Sequence, residues 1–201
     1  SAEDKKRGAP MGDEASYNRI CDLWENFRRH AGMNPCVVRW ASGLPRGASV
    51  LDVGCGTGYP IDAYLAECGF SLTGIDASEK MIEKAKALKL EGAVFLTVDL
   101  LRFLPARTYD AVIAFDSLWH IAYERQAEIY PKISSLLNPK GSFFFTHGKR
   151  DGKVTGTMLG ETFHYASLSS GKVFSLLEQN GFEIVSSEED FAEPVTGDRE
   201  L

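Results

Sequence analysis

The chain has 201 residues, 44% of them hydrophobic and 25% charged, with a net charge of −6. That length suits one domain with a proper core, and no apolar run approaches the ~20 residues that span a bilayer, so no membrane segment is expected and no signal peptide is visible. The negative charge argues against general attraction to phosphate backbones, so no nucleic-acid partner is expected; Cys21, Cys36, Cys55 and Cys68 form no C-x-x-C pair, which argues against structural zinc and a disulfide framework and makes a reducing cytoplasm the default.

Ser1 to Gly12 is charged and rich in Gly and Pro and is expected to be flexible, which places a single domain at 13–201, with a helical cap at 13–47 and an α/β core at 48–201. Tyr17 to His30 sets Ile20, Leu23, Trp24 and Phe27 at helical spacing, with Tyr17 and Trp24 on one face, and Val37 to Leu44 predicts a second short helix. From Ser49 short apolar runs alternate with amphipathic stretches. Strands are predicted at Val50–Val53, Phe70–Ile75, Ala93–Val98, Tyr109–Phe115 and Ser142–Thr146. Helices are predicted at Ile61–Cys68, at Glu79–Leu88 with Ser78 as N-cap, and around Glu124–Leu137, where Pro131 requires a kink or a late start. Strands alternating with helices mean an open, mostly parallel sheet covered on both faces.

Asn138-Pro-Lys-Gly141 reads as a type I turn, and Phe143-Phe-Phe145 as a fully buried central strand. Gly148 to Gly160 reads as a long loop or small hairpin. A helix from Lys172 to Gln179 and a strand beginning at Phe182–Val185 complete the pattern.

In such a sheet the ligand sits beyond the carboxyl ends of the strands, against the first strand-to-helix turn. Here that turn is Gly54-Cys-Gly-Thr-Gly58. Tyr59 stands where a dinucleotide fingerprint needs a small residue, and no G-K-[ST] follows, so phosphate is not the obvious ligand. Asp76 ends the second strand, where a carboxylate can accept from both ribose hydroxyls; Asp99 ends the third, within reach of an adenine amino group. The competing readings are a plain tight turn for the glycines and a helix cap or solvated strand end for each acid.

Together these features resemble the class I S-adenosylmethionine-dependent methyltransferases, over about Ser49 to Val185. The motifs that carry the resemblance are Val50-Leu-Asp-Val-Gly-Cys-Gly-Thr-Gly58, Gly74-Ile-Asp-Ala-Ser-Glu-Lys-Met81, Val98-Asp99, Tyr109-Asp-Ala-Val-Ile-Ala114 and Leu136-Leu-Asn-Pro-Lys-Gly141. The resemblance implies a Rossmann-like methyltransferase fold in which Gly54, Gly56 and Gly58 lie against the methionine part of S-adenosylmethionine. By the same resemblance Asp52 helps place the methionine amino group, Asp76 binds the ribose, Asp99 reaches the adenine and Met81 packs on its face. Cys55, Ala77, Leu100 and Phe115 are placed with them as cofactor contacts. Lys140 stands where the family usually has glycine. Only three residues follow Thr196-Gly197-Asp198, so the expectation is that either the family's seventh, antiparallel strand is lost or the chain is truncated before it.

Methyl transfer from a sulfonium needs alignment of the acceptor and exclusion of water, and a base only where the acceptor must lose a proton. His120, in Phe115-Asp-Ser-Leu-Trp-His120, is the base candidate; its alternative is a residue that only lines the cofactor pocket. Tyr17, Trp119, His147 and Tyr165 are the candidate acceptor contacts, each with packing as its alternative. No metal is expected, because the four histidines lack ligand spacing. The expected activity is methylation of a small molecule. The alternatives are a non-catalytic cofactor-binding protein of the same fold and a nicotinamide-dependent oxidoreductase.

Overall fold

A computed structural model describes residues 13–30 and 32–189. The segment expected to be flexible, 1–12, and the tail in which a seventh strand would fall lie outside those residues.

Two helices open the domain, α1 (Glu14–His30) and α2 (Pro35–Ser42). The Asn34 side chain accepts from Cys36 N (2.8 Å) at the start of α2, and Pro35 occupies a first-turn position where no N–H is needed. The core then alternates β1 (Ser49–Val53), α3 (Ile61–Glu67), β2 (Ser71–Asp76), α4 (Glu79–Ala87), β3 (Ala93–Thr97), β4 (Tyr109–Ala114), α5 (Ile129–Leu136) and β5 (Leu137–Phe145). A hairpin, β6 (Gly152–Met158) and β7 (Glu161–Ser167), and the final α6 (Ser170–Gln179) follow. The five core strands are all parallel, in the order β3-β2-β1-β4-β5. The five residues of β1 are all buried: Val50 joins the cluster that includes Val37, Leu65 and Ile82, while Leu51 and Val53 join the one that includes Ile133, Val173 and Leu177. Helices therefore cover both faces, and chain order reverses across β1, which opens a crevice at the carboxyl ends of β1 and β4.

Pro131 is accommodated by the late start: a 3-10 stretch, Tyr123–Glu128, precedes α5, so the proline falls in the first turn, where its missing N–H breaks nothing. The glycine-rich segment is a hairpin, closed by Leu159 and Gly160 with φ of 51° and 81°, the two left-handed residues of a type I′ turn.

Three expectations are corrected. Phe143–Phe145 is half-buried, because β5 is an edge strand among the described residues. The strand expected at Phe182–Val185 does not form; Phe182 packs its ring on Phe143 (5.8 Å), and Val185 is 90% exposed. The Asn138–Gly141 turn has Lys140 at φ 64°, a left-handed third position that belongs to a type II turn. A lysine pays about 1–2 kcal/mol for that conformation and glycine a smaller entropic cost. Lys140→Gly is therefore expected to raise the melting temperature by roughly 1–4 °C; an unchanged or lower value would contradict the turn geometry.

Candidate active site

The chain leaves β1 through Gly54, Gly56 and Gly58, at φ of 72°, 58° and 78°. Alternate left-handed residues fold the backbone back so that Gly54 N and Cys55 N both donate to Ile75 O (2.8 and 3.0 Å). A side chain on Gly54 would collide with Ser117, whose hydroxyl donates to Val53 O (2.7 Å), so the turn and the segment after β4 touch directly. Gly54, Cys55 and Gly56 line a cavity at the crevice. Gly58 is placed elsewhere: it faces α4, where a Cβ would meet Leu88 (3.2 Å) and Ala85 (3.4 Å). Its role is helix packing against the turn, and it is withdrawn from the ligand contacts.

Asp76 accepts from Gly56 N through Oδ2 and from Ser78 N through Oδ1, both at 2.9 Å. Burial pushes its carboxyl pKa up, and those two N–H groups oppose the shift. Each oxygen keeps a lone pair for a ligand hydroxyl. Ala77, Met81, Asp99, Leu100 and Phe115 also line the cavity, as does Asp52 at its floor. Asp99 additionally caps its own 3-10 turn, accepting from Arg102 N (3.2 Å). Among the described residues, Thr57 Oγ1, in the same wall, is buried without a partner, as is Glu14 Oε2. Unsatisfied oxygens facing a cavity next to a pinned carboxylate fit a hydroxyl- and amine-bearing nucleoside such as S-adenosylmethionine.

The second half of the site is built around His120, on the 3-10 turn Leu118–His120. Its Nδ1 lies 2.6 Å from Asp13 Oδ2 and 3.0 Å from His164 O, and its Nε2 lies 2.7 Å from the Tyr17 hydroxyl. Asp13 also receives the His164 N–H (3.0 Å), and its Oδ1 lies 2.8 Å from His164 Nδ1. Burial pushes the Asp13 pKa up, but the hydrogen bonds from His120 and His164 outweigh it and hold the carboxyl below its ordinary value. A carboxylate and a carbonyl at Nδ1 require the proton there, so Nε2 is the acceptor and the Tyr17 hydroxyl donates to it.

Tyr17 and His120 reach the cavity. Tyr165 and Trp119 stand behind them, outside the cavity lining, with ring centroids 5.3 and 6.5 Å from His120. His147 is not brought to the site: its Nδ1 bonds Gly148 O (2.8 Å), its ring packs on Phe145 (5.6 Å), and burial lowers its pKa. The residues that sequence reading missed are Asp13, Glu14 and Arg28, with Trp24 noted only for packing. Asp13, Tyr17, Trp24 and Arg28 recur at intervals of four and seven, one stripe of α1 and its first flank, and that spacing was the available signal. Among the described residues no group of three or more His, Cys, Asp or Glu side chains is placed to hold a metal ion.

Residues 50–141 match the methyltransferase domain family. The chain is similar to the ubiquinone biosynthesis O-methyltransferases of Paracidovorax citrulli (31% identical, 68% of this chain and 60% of the relative) and Bordetella avium (30%, 70% and 64%). The chain thus spans under two thirds of these relatives' length. Its fold is that of magnesium protoporphyrin IX methyltransferase from Synechocystis with bound S-adenosylhomocysteine (TM-score 0.65, 22% identical, 86% of this chain and 89% of that one). It is also that of the 1,6-didemethyltoxoflavin N1-methyltransferase of Burkholderia thailandensis (TM-score 0.63, 24% identical, 87% and 76%). Over residues 50–141 the chain thus matches the methyltransferase domain family, and its fold is the one that S-adenosylmethionine-dependent methyltransferases share.

Proposed function

We propose that the protein binds S-adenosylmethionine in this cavity and methylates a small molecule whose accepting atom carries a proton. The observation that carries the reading is the chain Tyr17–His120–Asp13 at the cavity wall. Asp76 and Asp99 would hold the nucleoside, and the glycine turn with Asp52 its methionine end. Bound there, the cofactor supplies an electrophilic methyl group. The Tyr17 oxygen accepts the acceptor's proton while its own passes to His120 Nε2, and Asp13 stabilises the imidazolium that results. His120 acts as the base through Tyr17, because both of its nitrogens are already engaged.

The names of the relatives, O-methyltransferases of ubiquinone biosynthesis, favour a hydroxyl acceptor. Tyr17 and Trp24, aromatic side chains of α1 on the cavity wall, favour one carried on a planar ring. No helix of the described residues is long and apolar enough to cross a membrane, and four free cysteines suit the reducing cytoplasm in which we place this single domain.

Calorimetric titration with S-adenosylmethionine, S-adenosylhomocysteine and NAD(H), followed by mass spectrometry of phenols, amines and thiols incubated with the protein, tests the proposal. Sulfur-nucleoside binding with a methylated phenol is the expected result. Binding without turnover on any acceptor would favour a non-catalytic binding protein, and binding of NAD(H) alone an oxidoreductase.

A further inference from the structure

Behind the glycine turn lie two carboxyl groups that the transfer step does not use. Asp62, in the first turn of α3, is 0% exposed, and among the described residues neither of its oxygens has a hydrogen-bond donor. Asp52, 3% exposed on β1, faces it and also lines the cavity. Two ionised carboxylates cannot bond each other, and a buried carboxylate with no donor is among the costliest groups a fold can hold. The pair becomes satisfied when one member carries a proton and donates to the other.

We propose that Asp62 is a positioning residue that keeps a proton and donates it in a hydrogen bond to Asp52, so that Asp52 is held as the ionised member of the pair that receives the cationic methionine end of the cofactor. The inference rests on the cofactor reading above. An arriving ammonium adds a second donor to Asp52, while Asp62, 0% exposed, keeps its proton in the bound state.

The neighbours act in the same direction. Burial raises the pKa of both groups and Asp76 at the end of β2 adds to this; Asp52 opposes the ionisation of Asp62, whereas the hydrogen bond from Asp62 favours the ionised form of Asp52, so Asp52 is pushed up only to about 6 and Asp62 further. The Cys55 thiol, which also faces them, is driven up by burial and by the same three carboxyls. His120 and Arg28 are the basic side chains of the cavity wall, and His120 acts on Asp76. Because the folded pKa values lie above those of the unfolded chain, the pair's stability contribution is full at low pH and is lost as pH rises through about 6 and beyond.

Calorimetry of S-adenosylhomocysteine binding at pH 7 and at pH 5.5, in buffers of different ionisation enthalpy, counts the proton on Asp52. Release near zero is expected at pH 7, where Asp52 is already ionised, and about 0.5–0.8 proton per nucleoside at pH 5.5. Methylthioadenosine, which lacks the ammonium, is expected to bind without release at either pH. Asp62→Asn, whose amide donates permanently to Asp52, is expected to reproduce both values, whereas Asp62→Ala removes the donor, so that Asp52 holds its proton to higher pH and release appears at pH 7. Melting curves of the ligand-free protein from pH 5 to 9 read the pair by itself: the parent is expected to lose more stability with rising pH than Asp62→Asn. Release near one proton by the parent at pH 7, equal release by the parent and Asp62→Ala, or parallel pH-stability profiles of the parent and Asp62→Asn would each overturn the retained proton or its role at Asp52. A folded parent that binds no S-adenosylhomocysteine would overturn the cofactor reading and the coupling with it, while the melting curves still judge the pair.

Discussion

Replacing His120 with Ala is expected to slow methyl transfer at pH 7–8 by about 100- to 10,000-fold, the usual contribution of a positioned base, while S-adenosylhomocysteine affinity stays within a few-fold. Tyr17→Phe keeps the ring that packs on Phe163 and Trp24 but removes the hydroxyl bonded to Nε2, so its loss of rate should be of similar size. A mild Tyr17→Phe effect beside a severe His120→Ala effect would mean that the acceptor meets the imidazole directly. Asp13→Asn separates positioning from simple stabilisation: an amide at Nδ1 can present N–H instead of oxygen and invert the tautomer. Its rate should fall at neutral pH and its pH–rate profile should change shape. An unchanged profile in all three variants would remove acid–base chemistry from this cluster and leave an acceptor that needs no base.

Asp76→Ala is expected to weaken S-adenosylhomocysteine binding by at least about 100-fold. Hydrogen bonds to an ionised group contribute roughly 1.5–3 kcal/mol each, and two ribose hydroxyls can use this carboxylate. The same side chain pins Gly56 N and Ser78 N, so part of the loss would come from a loosened turn. Asp76→Asn keeps the size and one acceptor oxygen, and an intermediate loss is expected there. Tight binding by a folded Asp76→Ala variant would show that the ribose sits elsewhere. An equal, total loss in both variants with a lowered melting temperature would assign Asp76 to the turn instead of the ligand.

The parallel sheet and its ligand edge were legible because their signals are local: a buried run into three glycines, an acid at the next strand end, a cap before an amphipathic stretch. Pro131 also announced its own solution. The failures share one cause, dependence on partners distant in the chain. Phe143–Phe145 looks the same whether or not a strand lies beside it, and Phe182–Val185 has strand composition but no ladder to join. Lys140 hides a left-handed residue that only the turn's geometry exposes. Gly58 could not be told from its neighbours, because spacing does not say which glycine meets a ligand and which meets a helix. Asp13 sits at the domain boundary, 107 residues from His120, and composition alone had marked that end as peripheral.

The groups placed to hold the nucleoside, from Asp52 to Phe115, fall within the stretch that matches the methyltransferase family, residues 50–141. The groups that surround His120 come mostly from outside it, from α1 and from the β6–β7 hairpin, which are fastened to each other by Ser16 on Thr162 O (2.9 Å) and Arg19 on Glu161 (2.8 Å). The segments that the family match covers and those that wall in His120 are therefore largely distinct stretches of chain. On the proposed function, exchange of the hairpin between relatives is expected to change which compound is methylated more than the grip on the methyl donor, provided that Asp13 and His164 travel together, whereas α1, which lines the same cavity as the glycine turn, serves both.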